Sequence, residues 1–327
     1  MTKYLKIKNP NKKLLVIVGP TASGKSDLAI EIAKKFDGEI VSADSRQIYK
    51  GMNLGTGKVE KDTEYLMQNT EYYSSGIRHY LLDIAEPQEY FSVAQYQKLA
   101  LEAIKDIQKR NKLPILCGGT GLYINALIEG WELPEVSPNQ KLRQELEKLD
   151  TEELFLKLQK LDPKRAKTID KNNKIRLIRA LEIIDKNKEV KPLKKNPLPY
   201  DILILSIKKE NKELKELIKK RLIKRLEEGM IEEIKKLKEE GIPSKRFEDF
   251  GLEYRWINRY LENKISYEEM VNKLYRDICH YAKRQMTWIR NKIFKSQFKS
   301  HWVNSKEEAI NLVSLWLQDK FSKSSGI

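Results

Sequence analysis

Leu14-Leu15-Val16-Ile17-Val18-Gly19-Pro20-Thr21-Ala22-Ser23-Gly24-Lys25-Ser26, or LLVIVGPTASGKS, is the stretch whose reading decides the fold. Leu14 to Val18 is an apolar run of strand length, β-branched toward its end, as a buried strand requires. Gly19 to Ser26 fits G-x-x-x-x-G-K-[ST] at every constrained position. Asp27 to Phe36 then places Leu28, Ile30, Ile32 and Ala33 at helical spacing, which predicts a helix with one buried face. Strand, loop and helix in that order build a polyphosphate site. The glycines let the backbone fold into a nest of inward-pointing N–H groups. The helix N-terminus adds about half a positive charge. Lys25 supplies a whole one, and the Ser26 hydroxyl is placed to hold Mg²⁺ against the phosphates. The fold class is therefore α/β, a P-loop NTPase-like parallel sheet flanked by helices. The loop by itself leaves open whether phosphate is transferred, hydrolysed or expelled.

Working outward, Gly38 to Ser45 predicts a second strand that ends in polar residues. In a parallel sheet the carboxyl ends of the strands converge on the ligand, so Asp44 falls within reach of whatever stands before the phosphates. An Asp in that place also serves as a simple cap on the turn at Arg46. His79 to Ile84 is a third strand candidate, and Phe91-Ser92-Val93-Ala94 opens a helix running to about Lys109. Leu113 to Cys117 is a fourth strand, followed by Gly118-Gly119-Thr120-Gly121. An ATPase usually ends such a strand in a carboxylate. Two glycines and a threonine there imply close approach by a ligand, although Asp83 keeps hydrolysis open.

From about Gly130 to Pro199 the composition changes: prolines bracket the segment (Pro134, Pro138, Pro192, Pro197, Pro199) and helical periodicity takes over. Leu142, Leu146, Leu149, Leu154, Leu156, Leu158 and Leu161 supply its apolar face. The domains are thus 1–129 with 200–327 as core, and 130–199 as an all-helical insertion domain. Within it a helix begins near Asn172-Asn173, beside the basic cluster Lys164, Arg165, Lys167, Lys171 and Lys174. Beyond it, Asn211 to Gly229 is a charged helix with Arg221 close to its apolar stripe, followed by a helix over Ile231 to Glu240. Phe247 to Arg255 is expected to be a loop entering another helix, Tyr267 to about Lys292 one long helix, and His301-Trp302-Val303 a short strand. Lys283 to Lys299 carries six basic residues and no acidic one, interleaved with Trp288, Phe294 and Phe298. That mixture suits an RNA backbone beside unstacked bases.

Across 327 residues the net charge is +16 and the pI about 9.4, a field that attracts polyanions, though Lys-rich composition alone produces the same excess. Mean hydropathy is −0.62 and no 18-residue apolar run occurs, which argues against a membrane span. The basic start MTKYLKIKNPNKK lacks an apolar h-region, and the SKSSGI tail reads as frayed. Cys117 and Cys279 are far apart in sequence, which argues against a disulfide framework or zinc site and suits a cytoplasmic protein.

GPTASGKS, SADSRQIY, HYLLDI, FSVAQY, GGTGLYI, NNKIRLIRALEI and KRQMTWIR, in that order, resemble the bacterial tRNA dimethylallyltransferases (tRNA isopentenyltransferases), from about Leu15 to Trp302. The resemblance implies a monomer that moves a dimethylallyl group from dimethylallyl diphosphate to N6 of the adenosine 3′ of the anticodon. By resemblance Asp44 is the base, Thr120 lies near the diphosphate or adenine, and Arg221 stabilises the departing diphosphate held by Gly19 to Ser26. Ser45, Arg46 and Gln47 would join Asp44 and Thr120 at the flipped base. Arg143, the run Ile175, Arg176, Leu177, Ile178, Arg179, the run Phe247, Glu248, Asp249, Phe250, Gly251, Leu252, and Lys283, Arg284 and Gln285 would contact the tRNA anticodon arm. Leu217 stands where relatives carry an arginine, implying one cation fewer around the phosphates. Adenylate isopentenyltransferases, small-molecule kinases and a nucleotide-switched RNA-binding module share parts of this pattern.

Overall fold

A computed structural model describes residues 12–63, 71–134, 136 and 139–319. Pro138, the first eleven residues and the SKSSGI tail lie outside the described residues. In chain order the elements are β1 (Lys13–Val18), α1 (Lys25–Phe36), β2 (Gly38–Ala43), β3 (Tyr72–Ser74), β4 (Ile77–Tyr80), α2 (Val93–Lys109), β5 (Leu113–Gly118) and α3 (Gly121–Ile128). The segment 129–197 follows as a compact unit of its own, with α4 (Gln140–Leu146), α5 (Thr151–Leu161), α6 (Pro163–Ala166) and α7 (Lys174–Asn187). The chain then adds β6 (Asp201–Ile207), α8 (Asn211–Glu227), α9 (Met230–Glu239), α10 (Ser244–Phe250), α11 (Leu252–Leu261) and α12 (Tyr267–Trp288). A π-helical turn at Ile289–Ile293, β7 (Lys299–Val303) and α13 (Lys306–Leu317) complete it.

The larger unit is built on one seven-stranded sheet of order β3-β4-β2-β5-β1-β6-β7, parallel except for the β3–β4 hairpin. Alternation in the buried strand β1 separates its two faces. Leu14, Val16 and Val18 meet Tyr96, Ile104 and Ile124 from α2 and α3 on one side. Leu15 and Ile17 meet Leu28, Ile32 and Phe36 of α1 and Trp316 of α13 on the other. A third cluster joins α8 to α12 with Ile48, Tyr49 and Met52, which follow the end of β2. Helices from the far end of the chain are thereby packed against the segment that follows Asp44.

The sheet and its order of helices agree with the expected class, and four local expectations change. The strand expected over His79–Ile84 stops at Tyr80, because Leu81 and Asp83 take left-handed backbone (φ 63° and 54°). The loop expected over Phe247–Arg255 is two helices broken only at Gly251, φ 69°. Phe247, Phe250, Tyr254 and Ile257 keep a buried stripe across that break. In the insertion, Leu146, Leu154, Leu158, Leu177 and Leu181 form the core, while Leu156, on the opposite face of α5, and Leu161, its last residue, are exposed. The β3–β4 hairpin and α13 were not foreseen. Lys13 ties α13 down, donating to the Trp316 carbonyl (3.0 Å) and pairing with Asp201 (3.2 Å) and Asp319 (2.8 Å).

Candidate functional site

The loop between β1 and α1 is shaped for an anion. Ala22 (φ 64°) and Gly24 (φ 84°) are left-handed, and the first helical bond of α1 runs from Leu28 N–H to the Gly24 carbonyl (3.1 Å). The N–H groups before Leu28 therefore lie ahead of the helix ladder, where a phosphate is received. A Cβ on Gly19 would stand 2.6 Å from the Ser23 Oγ, so a side chain there would displace that hydroxyl. Among the described residues the Ser23 hydroxyl is buried without a partner, an orphan that an incoming oxygen would satisfy.

Four cations gather here. Arg221 reaches across from α8 to the Thr21 hydroxyl. Burial, with neighbouring Arg225, holds the Arg221 guanidinium well below its ordinary range. Burial lowers the Lys25 ammonium as well, Arg221 and Arg225 adding to the effect while Cys117 and Asp44 oppose it. Arg46 donates to Glu253 (2.9 Å) and lies over the Tyr281 ring, 5.7 Å from its centroid. Burial is the first cause of the lowering at Lys25, Arg221 and Arg225, and the cations lower one another further, whereas at Arg46 burial is outweighed by Glu253 and Asp44, which raise it. Such a cluster suits an anion.

Asp44 stands at the end of β2, where its Oδ1 accepts the Arg46 N–H (2.9 Å). It is thus both the turn cap and a strand-end carboxylate. Thr120, at the end of neighbouring β5, accepts the Ser45 N–H (3.0 Å) and donates its own N–H to the Ala43 carbonyl (3.0 Å). The other strand-end carboxylate, Asp83, is taken up by Lys58, whose ammonium also donates to the Tyr49 carbonyl (2.8 Å) and Asn53 Oδ1 (3.1 Å). The Gln47 amide donates to the carbonyls of Thr56 (3.3 Å) and Gly57 (3.2 Å).

The glycines at the end of β5 and just beyond it also have a cause within the protein. A Cβ at Gly118 would meet the Ala43 carbonyl at 2.2 Å, at Gly119 the Gln285 amide at 2.1 Å, and at Gly121 the Trp288 ring at 2.5 Å. Their lack of a side chain admits the protein's own neighbours. Gln285 is the most consequential of these: its Oε1 accepts the Thr21 N–H (2.7 Å) and its Nε2 donates to the Gly119 carbonyl (3.1 Å). It braces the phosphate loop against the Thr120 loop, and both ends of its amide are committed.

Two cavities flank Ser45, Tyr281 and Arg284. One, of about 500 Å³, is lined further by Arg46, Tyr49, Arg255, Asp277 and residues 249–252; the other, about 310 Å³, by residues 119–122, Gln285 and Trp288. Burial pushes the Tyr281 phenol up to about 12, so it stays a neutral donor. Tyr281, Arg225 and Glu253 escaped the sequence reading. The signal was present as spacing: Tyr281, Gln285 and Trp288 repeat at helical intervals, and Arg225 is one turn beyond Arg221.

The remaining expected contact residues divide by burial. Phe247, Leu177 and Ile178 face hydrophobic cores, whereas Ile175 is 80% exposed and Arg176, Lys283 and Arg284 are exposed. Arg143 and Arg179 are bound to the buried Glu182 of α7. Glu248 pairs with Arg259 (2.7 Å) and Arg255 (3.1 Å), and Asp249 accepts the Tyr90 hydroxyl (2.9 Å). Phe294 stacks on Trp302 (4.5 Å, 10°), and it, Phe298 and Trp288 pack against the core, so these aromatics are only partly open to a base.

Residues 47–292 match the family model described as IPP transferase. The tRNA dimethylallyltransferase of Acetivibrio thermocellus is 42% identical over 305 residues, covering 90% of this chain and 92% of that protein. The tRNA dimethylallyltransferase 2 of Shewanella sediminis is 40% identical, covering 90% and 93%. Among solved structures, the full-length tRNA isopentenylpyrophosphate transferase of Bacillus halodurans superposes with a TM-score of 0.65 at 36% identity, over 94% of this chain and 98% of that one. A eukaryotic dimethylallyltransferase, captured in crystallographic snapshots acting on tRNA, gives 0.76 at 25% identity, over 96% and 81%. With its phosphate loop, strand-end Asp44 and Thr120, and nearly full-length likeness to these proteins, the chain belongs to the IPP transferase family.

Proposed function

We propose that this protein transfers the dimethylallyl group of dimethylallyl diphosphate to N6 of the adenosine immediately 3′ of the tRNA anticodon. The observation that carries this reading is the convergence of Asp44 and Thr120, on adjacent strand ends, with Lys25 and Arg221 at the phosphate loop. The diphosphate occupies the nest of Gly19 to Ser26. The adenine is flipped from its stack into the cavity bordered by Ser45, Arg46 and Tyr281.

In the reaction the donor's C1–O bond breaks and its electron pair leaves on diphosphate. The N6 lone pair forms the new bond to C1, and Asp44 takes the N6 proton. The exocyclic amine is a weak nucleophile, so a carboxylate placed for that proton matters. Charge grows on the leaving oxygen as the bond breaks, and Lys25 and Arg221 are worth more in that state than in the ground state. The Ser26 hydroxyl, an oxygen donor at the head of α1, would hold a Mg²⁺ there. When bound, the ion would neutralise charge on the leaving group. Exposed Lys283, Arg284 and Arg176 supply phosphate contacts to the anticodon arm.

Mass spectrometry of undermodified tRNA incubated with the protein, Mg²⁺ and dimethylallyl diphosphate tests this. Gain of one prenyl group without ATP is the expected result. Phosphate transfer that consumes ATP would assign a kinase instead.

A further inference from the structure

Arg225 is a buried cation that the chemistry above leaves without a task. Only 9% exposed, it lies one helical turn after Arg221 on α8, so the two heads share a face. A guanidinium offers five N–H donors. Among the described residues its one ion-pair partner is Glu253, Nη1 to Oε1 3.8 Å, too long for a hydrogen bond. Glu253, itself 3% exposed, gives its close contact to Arg46 instead, at 2.9 Å. One carboxylate thus serves two guanidinium groups. Counting Lys25, Arg46, Arg221 and Arg225 against Asp44, Glu233 and Glu253, the set carries four positive charges and three negative.

The position is built rather than incidental. Gly57 adopts φ +63°, and a Cβ there would stand 1.5 Å from Arg225 Nη2, so the loop is glycine where the guanidinium needs room. That loop is fastened in turn: Glu233 of α9 accepts the N–H groups of Asn53 (3.0 Å), Leu54 (2.7 Å) and Gly55 (3.0 Å). Burying an under-paired charge is costly unless a counter-charge arrives.

We propose that Arg225 is a reserve cation of the diphosphate site, parked on Glu253 in the free protein and acquiring the diphosphate as its counter-charge on binding. This rests on the donor reading above and adds a residue to it. Arg225 works beside Arg221 rather than on the reacting carbon, and its contribution is to anion affinity. Glu253 competes with the anion, so removing it has the opposite sign.

Calorimetric titration of the full chain with inorganic diphosphate, alongside thermal melts, tests the assignment. Arg225→Met is expected to weaken diphosphate binding about ten- to a hundredfold, the range of a charge-assisted contact, with tRNA affinity unchanged. Arg225→Lys should recover part of the loss, and Glu253→Gln should bind diphosphate at least as tightly as wild type. A folded Arg225→Met protein with wild-type affinity would overturn the proposal and make Arg225 a structural counter-ion. Should Arg225→Met fail to fold, weaker binding by Glu253→Gln overturns it alone. If the wild type does not bind diphosphate, the donor reading falls and this assignment with it.

Discussion

Asp44 combines two roles that a single substitution can separate. Its Oδ1 accepts the Arg46 N–H and so fixes the turn, while in the proposed reaction its negative charge takes a proton. Asn keeps an oxygen for the turn and loses the base. Asp44→Asn is therefore expected to keep tRNA affinity and thermal stability while lowering turnover by roughly 10²–10⁴-fold; single-turnover assays at saturating donor measure it, and turnover near wild type would remove Asp44 from the chemistry. Lys25 and Arg221 separate differently. Lys25 stands within the nest and meets both bound and departing diphosphate, so Lys25→Ala should raise the Michaelis constant for the donor and slow turnover. Arg221 is tethered through the Thr21 hydroxyl and should act more on turnover. Equal effects confined to the Michaelis constant would show that neither is tuned to the transition state.

At the scale of an element, α7 shows how a basic sequence can be mostly architecture. Glu182 is 2% exposed. Arg143 embraces it through Nε (2.7 Å) and Nη2 (2.8 Å), Arg179 adds 3.3 Å, and the Asn139 N–H adds 3.0 Å. Burial alone would raise this carboxyl, but the Arg143 hydrogen bonds and their companions bring it below the ordinary range. A carboxyl depressed on folding stabilises the folded state above its unfolded value, about 4.3, and that stability is lost as pH falls below it toward the folded value. Glu182→Ala should cost the insertion about 3 kcal/mol, the low end for breaking a buried pair because the arginines are partly solvated. Melts recorded between neutral and acidic pH should show a shallower acid dependence for Glu182→Gln. An unchanged acid limb would mean that other carboxylates govern it.

Over the whole molecule, net charge +16 is not spread over equivalent side chains. Lys167, Lys171 and Arg176 are exposed, whereas Lys174 donates to the Glu147 carbonyl (2.9 Å) and Arg179 to the Val136 carbonyl (2.8 Å). Lys238, in α9, is likewise held, by Asn258 (3.1 Å) and Glu262 (3.2 Å). If tRNA lies on the insertion, neutralising Lys167, Lys171 and Arg176 together should flatten the log–log salt dependence of binding by about two to three contacts, each worth a slope of roughly 0.7 to 0.9. Neutralising the exposed Lys212, Lys235 and Lys236 should change it little. Filter binding across a salt series compares the two sets, and equal losses would reduce the effect to bulk charge. The donor's Michaelis constant should stay constant in both.

The sequence by itself determined the phosphate loop, the parallel sheet and the helical insertion. Those features rest on local regularities: a strand, a loop and a helix within a few residues of one another, and periods of two or 3.6 that declare their buried faces. Asp44 and Thr120 were legible for the same reason, because strand ends in a parallel sheet converge whatever lies between them. Only the tertiary structure decided what cannot be read locally. Gln285 lies 264 residues from Thr21 and Arg221 lies 200 from it, so their meeting depends on how α8 and α12 pack. The glycines at 118 and 119 looked like room for a ligand, and the packed structure shows that they also make room for Ala43 and Gln285. Which cations are free and which are bound was equally hidden. Pairing of Arg143 and Arg179 with Glu182, or of Arg46 and Arg225 with Glu253, follows from burial of a carboxylate, and burial belongs to the packed molecule rather than to composition.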